Sequence, residues 1–161
     1  VGTGLWQGDL ARDAEPRMTR DIDVVVEIGA ADVETIAGAF ATDFHCDRDM
    51  IRHAVDRQGM FTVIHAPTVI KVDFIVRKNT PYRRVEFERR RAFTVEGHVI
   101  RVVSPEDLVL SKLVWAKPSH SEMPMRDVRN LIASVPALDG SYLEHWAADL
   151  TVEDLLAEVR S

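Results

Sequence analysis

The residues with the clearest chemical potential are acids set into short apolar runs. Asp21-Ile22-Asp23 leads into Val24, Val25 and Val26, and Gly29 closes the run, so Ile22 to Ile28 reads as a buried strand. Side chains alternate along a strand, which puts Asp21 and Asp23 on one face and Ile22 and Val24 on the other. At about 3.3 Å of rise per residue the two acids stand roughly 6–7 Å apart at the backbone. A third acid, Asp73, lies inside the run Val69 to Val76, where Ile70, Val72, Phe74 and Val76 make one apolar face. Lys71 and Asp73 share the opposite face with Val69 and Ile75. Acids side by side resist ionising together unless a cation or an arginine offsets them, and an unpaired buried charge is costly. Three carboxylates on two strands, all facing one way, make a hard-oxygen site for Mg²⁺ or Mn²⁺. The plainer alternative has Asp21 capping a turn and Asp23 paired with Arg20 or Arg17.

The elements that must position these acids follow from periodicity. After the first strand, Val33, Ile36, Ala37 and Phe40 recur at helical spacing, and a second helix fits Asp49 to Gln58 with Gly59 as its stop. Strands Phe61 to His65 and Val69 to Val76 flank a turn at Pro67. Thr80-Pro81 caps and opens a basic helix toward Arg91. Glu96-Gly97 joins Phe93 to Val95 and Val99 to Val103 as a hairpin. Ser104-Pro105-Glu106-Asp107 starts a helix that Pro118 ends near Lys117. A polar loop, Ser119 to Pro124, precedes a helix carrying Val128, Leu131 and Ile132, and two short helices fit Ser141 to Ala148 and Val152 to Val159. Strands come first and helices last, so the expectation is an α+β fold with a small mixed β-sheet, packed helices and a C-terminal helical layer. Residues 1–103 are expected to form the sheet core and residues 104–161 the helical layer of the same domain.

Composition narrows the classes. The 161 residues are 46% hydrophobic and 29% charged, enough for one buried core, and nothing approaches a membrane-spanning run. One cysteine, Cys46, excludes an intrachain disulfide framework and fits a reducing, cytoplasmic setting. Net charge is −6, which argues against a protein that coats nucleic acid over its whole surface. The charge is uneven: eight basic and three acidic residues lie between Arg77 and Arg101, ten acidic and five basic between Ser104 and Ser161. Arg83, Arg84, Arg89, Arg90 and Arg91 read as a solvated helix face laced with Glu86 and Glu88, or else as a grip on a nucleotide or RNA backbone. The scattered histidines, with His45-Cys46 lacking a second ligand pair, do not make a zinc site. Trp115 and Trp146 read as core residues.

The run Glu15-Pro16-Arg17-Met18-Thr19-Arg20-Asp21-Ile22-Asp23-Val24-Val25-Val26 resembles the Pro-Arg-x-Thr-x-Asp-Ile-Asp signature of minimal nucleotidyltransferases in the DNA polymerase beta superfamily. Lys71-Val72-Asp73-Phe74 is similar to the third-carboxylate strand of that family. Ser104-Pro105-Glu106-Asp107-Leu108, Ser111-Lys112-Leu113 and Arg126-Asp127-Val128 resemble the helical half of its small bacterial members, relatives of the abortive-infection toxin nucleotidyltransferases.

The resemblance implies a nucleotidyltransferase fold and transfer of a nucleoside monophosphate from an NTP to a hydroxyl on RNA, protein or a small molecule. Two magnesium (or manganese) ions would be held by Asp21, Asp23 and Asp73, the last also helping to deprotonate the hydroxyl. Two cations about 3.5–4 Å apart can stabilise both the attacking and the leaving oxygen of an in-line displacement. Gly4, Arg17, Thr19, Lys71, Lys112 and Asp127 would contact the nucleotide, with Asp127 orienting Lys112. A toxin–antitoxin partner is implied as well. The family's Gly-Ser or Gly-Gly turn has only Gly2-Thr3-Gly4 and Gly8 as its counterpart here, and the helix before it is missing, so a truncated N-terminus is one expectation. The other is a non-catalytic nucleotide-binding or antitoxin-like module that keeps the fold.

Overall fold

The computed structural model describes Thr3–Gly4 and residues 21–161. Contacts divide the described chain into two compact units, with the boundary between Val102 and Val103.

The first unit holds β1 (Thr3–Gly4), β2 (Asp21–Val26), α1 (Val33–Phe40), β3 (Phe44–His45), α2 (Arg48–Arg57), β4 (Met60–His65) and β5 (Lys71–Val76), then α3 (Pro81–Glu88), β6 (Arg91–Val95) and β7 (His98–Val102). The main sheet has the order β1-β2-β5-β4-β3, with β2 and β5 parallel and the other neighbours antiparallel. Parallel strands need a long crossover, and α1, β3, α2 and β4 supply it. Helices α1 and α2 cover one face of the sheet. Ile51, Ala54 and Val33 meet Phe61, Val63 and Val76 in a buried cluster, with Val72 and Phe74 packed against it. Phe61 and Phe74 stack with ring centroids 5.0 Å apart. This is the apolar face read from Val72, Phe74 and Val76, and alternation leaves Lys71, Asp73 and Ile75 on the other.

Several element ends differ from the sequence reading. Helix α2 ends at Arg57, one residue short of the expected Gln58. Gln58 itself takes the left-handed conformation (φ 48), and the Gly59 N–H bonds to the Ala54 carbonyl at 2.8 Å. Val69 likewise turns left-handed (φ 57), so β5 starts at Lys71 rather than at Val69. The basic helix α3 stops at Glu88, short of Arg91, which opens β6 instead. The two-residue strand β3 is too short to show an alternation pattern and has no counterpart in the sequence reading. The β6–β7 turn places both Glu96 (φ 49) and Gly97 (φ 80) at positive φ, as a two-residue hairpin loop of the mirror-image type requires.

The second unit is helical: α4 (Pro105–Ala116), α5 (Glu122–Ser134), α6 (Gly140–Leu150) and α7 (Glu153–Arg160). Ser104 caps α4 by accepting the Asp107 N–H at 3.1 Å, with Pro105 in the first turn. Leu108, Val109, Leu110, Leu113 and Ala116 are all buried, so α4 is the central helix of this unit. Asp107 is buried with them, and its oxygens accept from the Ser104 hydroxyl at 2.6 Å and the Tyr142 hydroxyl at 2.7 Å. Pro124 does not end a loop as expected. It sits in the first turn of α5, where a missing N–H forfeits no helical bond. Trp115 is not a core residue either: half of its surface is exposed, because the packing sides of α4 are taken by its leucines, valine and alanine. Among the described residues, no helix is long and apolar enough to cross a membrane.

Candidate active site

Parallel pairing of β2 with β5 brings the sequence-predicted acids together. Their register sets Asp21 beside Lys71 and Asp23 beside Asp73, in alternate rungs of one ladder with Ile22 and Val72 between. Register partners on neighbouring strands project to the same face, about 4.8 Å apart at the backbone. Asp23 and Asp73 therefore lie side by side on the sheet face that α1 and α2 leave uncovered. The backbone of Asp21 continues this row, while its side chain lies outside the described residues.

Asp73 is 6% exposed, a carboxylate removed from bulk water in the middle of a strand. Burial of a charge is tolerated when it is paired and hydrogen-bonded, and both of its oxygens are engaged. The Thr62 hydroxyl donates to Oδ1 at 2.5 Å from the neighbouring strand β4, where Thr62 is the register partner of Asp73. The Lys71 ammonium donates to Oδ2 at 2.7 Å, reaching along its own strand from two residues away. Lys71 keeps 41% of its side chain exposed, so its ammonium stands at the mouth of the row. Thr62 is the residue the sequence reading missed. Its only signal was a hydroxyl on a strand, and which residue it faces depends on the β4–β5 register.

The donor chemistry fits a divalent cation. Carboxylate oxygens are the hard ligands Mg²⁺ takes, and in this structure a cationic group, the Lys71 ammonium, already rests on Asp73. Among the described residues no three His, Cys, Asp or Glu side chains gather as a metal-binding group, and the side chain of Asp21 is not one of those described.

The remaining candidates fall elsewhere. Lys112 on α4 and Asp127 on α5 form an ion pair at 2.8 Å in the helical unit, with 12% and 25% of their side chains exposed. Gly4 pairs with Val24 through β1. Arg17 and Thr19 lie outside the described residues. The arginines expected on a solvated helix divide their roles. Arg83 pairs with Glu86 at 2.7 Å within α3, whereas Arg90 follows the helix and stacks on the Phe87 ring, 3.2 Å from its centroid.

Comparison with known proteins bears on this arrangement. The sequence model of the family described as nucleotidyl transferase AbiEii toxin, type IV TA system, matches residues 9–129, more than half of the chain. Among solved structures the chain is similar to an antigenic nucleotidyltransferase-like protein from Paracoccidioides brasiliensis, at 14% identity and a TM-score of 0.52, over 99% of this chain and 84% of that one. At that identity the likeness speaks for the fold alone. No curated protein matches the chain.

Proposed function

The chain belongs to the AbiEii nucleotidyl transferase toxin family of type IV toxin–antitoxin systems, and from that premise we propose that it moves a nucleoside monophosphate from a magnesium-bound NTP to a hydroxyl acceptor. The acceptor is a hydroxyl on RNA, protein or a small molecule, the setting is cytoplasmic, and an antitoxin is the macromolecular partner. The observation that carries the reading is the pairing of Asp23 with Asp73 across β2 and β5, with a cationic group resting on Asp73.

Asp21, Asp23 and Asp73 are the residues that would hold Mg²⁺ or Mn²⁺, two ions with NTP bound. Such ions supply charge neutralisation on the triphosphate and polarise the reacting oxygens. The chain's own residues do the rest. Thr62 fixes Oδ1 of Asp73, so the carboxylate keeps one orientation on the sheet. Lys71 neutralises Asp73 while the row is without its cations, and its half-exposed stem lets the ammonium swing from the carboxylate to a phosphate oxygen. Asp73 then accepts the proton of the acceptor hydroxyl as that oxygen bonds to the α-phosphorus. The bond from the α-phosphorus to the bridging oxygen breaks, and pyrophosphate carries away the electron pair. In the helical unit, Asp127 holds the Lys112 ammonium ready for phosphate. Arg17, Thr19 and Gly4 complete the nucleotide contacts in this reading.

The direct test is incubation with labelled NTPs and Mg²⁺ against Asp21→Ala and Asp23→Ala. Transfer to an acceptor that both substitutions abolish supports the reading, and labelling that survives both rejects this site. If Mg²⁺·NTP does not bind at all, the chain is a non-catalytic module that keeps the fold.

A further inference from the structure

The acid row has a second charged end. Continuing the β2–β5 ladder, the Arg77 N–H bonds to the Val26 carbonyl at 2.9 Å, which sets Arg77 beside Glu27. Both residues are four positions beyond Asp73 and Asp23, an even number, so alternation returns them to the acid-bearing face about 13 Å along it. The Arg77 side chain is 11% exposed, and its guanidinium forms an ion pair with Glu27. Its Nε is buried without a hydrogen-bond partner. The Phe87 ring carries two guanidiniums, with Arg77 5.4 Å and Arg90 3.2 Å from its centroid. Arg101, on β7, pairs across the hairpin with Ala92, two positions from Arg90. Burial first, then Arg101 and Arg77, holds the Arg90 guanidinium below its ordinary value, while Glu27 acts in the opposite direction. Glu27 is thus the carboxylate whose charge both Arg77 and Arg90 feel. Arg77 and Glu27, with Asn79, with Val55 of α2 and with Gln58 just beyond it, also line an open cavity of about 310 Å³ at the carboxyl ends of β2 and β5, where α/β sheets commonly take ligands. Of the arginines it is Arg77 that reaches it.

We propose that Arg77, Arg90 and Arg101 form an oxyanion subsite that takes a phosphate group at the end of the sheet opposite Asp23 and Asp73. The excess of guanidinium over carboxylate, held on a shared aromatic ring, suits the planar, bidentate recognition arginine gives phosphate. Glu27 keeps the cluster from flying apart while no anion is bound, and Phe87 holds two of the guanidiniums in place. The subsite does not depend on nucleotidyl transfer. It requires only an anion with phosphoryl oxygens, supplied either by the nucleotide or by a phosphate on the acceptor.

Titration calorimetry with inorganic pyrophosphate in EDTA, on the full chain, tests it. Removal of magnesium takes the carboxylate row out of the measurement. Arg90→Met and Arg101→Met carry the comparison, because neither side chain is fully buried, whereas replacing Arg77 would strand Glu27. Each substitution is expected to weaken pyrophosphate binding about tenfold or more, the worth of a charge-assisted hydrogen bond, while Asp23→Asn leaves it unchanged. Pyrophosphate binding that is absent from the native chain, or indifferent to both arginines, overturns the proposal. Mg²⁺·NTP titrated into the same variants separates the sources: parallel weakening assigns the subsite to the nucleotide's own phosphates, and unchanged affinity assigns it to the acceptor. If native protein binds pyrophosphate but not Mg²⁺·NTP, the transferase reading fails and the subsite stands.

Discussion

Lys71 donates to Oδ2 of Asp73 at 2.7 Å, so a carboxylate suited to a metal already carries a cation of the chain's own. The pair is two residues apart on one strand, the spacing that places both side chains on one face. An incoming divalent ion must displace the ammonium. Lys71→Met is therefore expected to tighten Mn²⁺ binding in the absence of nucleotide by about tenfold, the scale of a charge-assisted bond. Titration followed by the Mn²⁺ paramagnetic signal measures this directly, and affinity that is unchanged or weaker would remove Lys71 from this role.

Asp23 stands beside Asp73 in register, and in the proposed reaction both carboxylates would hold Mg²⁺. Asp23→Asn is expected to lower transfer activity roughly a hundredfold or more, on the scale of losing an electrostatic contact to the transition state. Transfer activity that survives the substitution would remove Asp23 from the reaction.

Thr62 reaches Asp73 from the neighbouring strand β4, on the side away from Asp23. Thr62→Val keeps the shape and deletes the hydroxyl. The expected result is a loss of roughly tenfold or more in kcat or metal affinity, as for other groups that orient a ligand carboxylate, with KM for the NTP little changed. Rescue by Thr62→Ser would show that the hydroxyl matters and not the methyl.

The helical unit makes a prediction about stability instead. Asp107 is wholly buried and accepts from Tyr142 and Ser104. Tyr142→Phe removes one donor and leaves a buried carboxylate oxygen short of a partner, at a cost of about 1–3 kcal/mol. Urea denaturation should show a lower midpoint with an unchanged slope. A midpoint equal to that of the native chain would mean that water replaces the tyrosine hydroxyl.

Cys46 offers a test by pH. Burial, with the neighbouring Asp47 adding to it, pushes the thiol above its ordinary value. The reactive thiolate is then scarcer at neutral pH than in a free cysteine. Alkylation should be slower than that of a model thiol at pH 7 and should catch up only in more alkaline solution. A rate matching the model thiol at pH 7 would contradict this.

What the sequence determined by itself is what local patterning determines. The alternation of Val72, Phe74 and Val76 against Lys71 and Asp73 identified which face would be covered by helices and which would carry the acids. Ser104-Pro105 and Thr80-Pro81 marked the starts of α4 and α3, because capping and proline chemistry act within one turn. Glu96-Gly97 marked the hairpin for the same reason. The motif run from Glu15 to Val26 pointed to the family that the match over residues 9–129 shows. Tertiary structure decided what depends on partners far along the chain. Whether Asp23 meets Asp73 or Val72 is a matter of β2–β5 register, and a slip of one residue would turn every side chain to the wrong face. Thr62 became the hydrogen-bond partner of Asp73 only through the β4–β5 register. Gln58 rather than Gly59 took a left-handed position at the end of α2, and Val69, expected to open a strand, took one instead. Arg77, Arg90 and Arg101 are scattered in sequence, and it is the Phe87 ring and the ladder past Val26 that gather their charge.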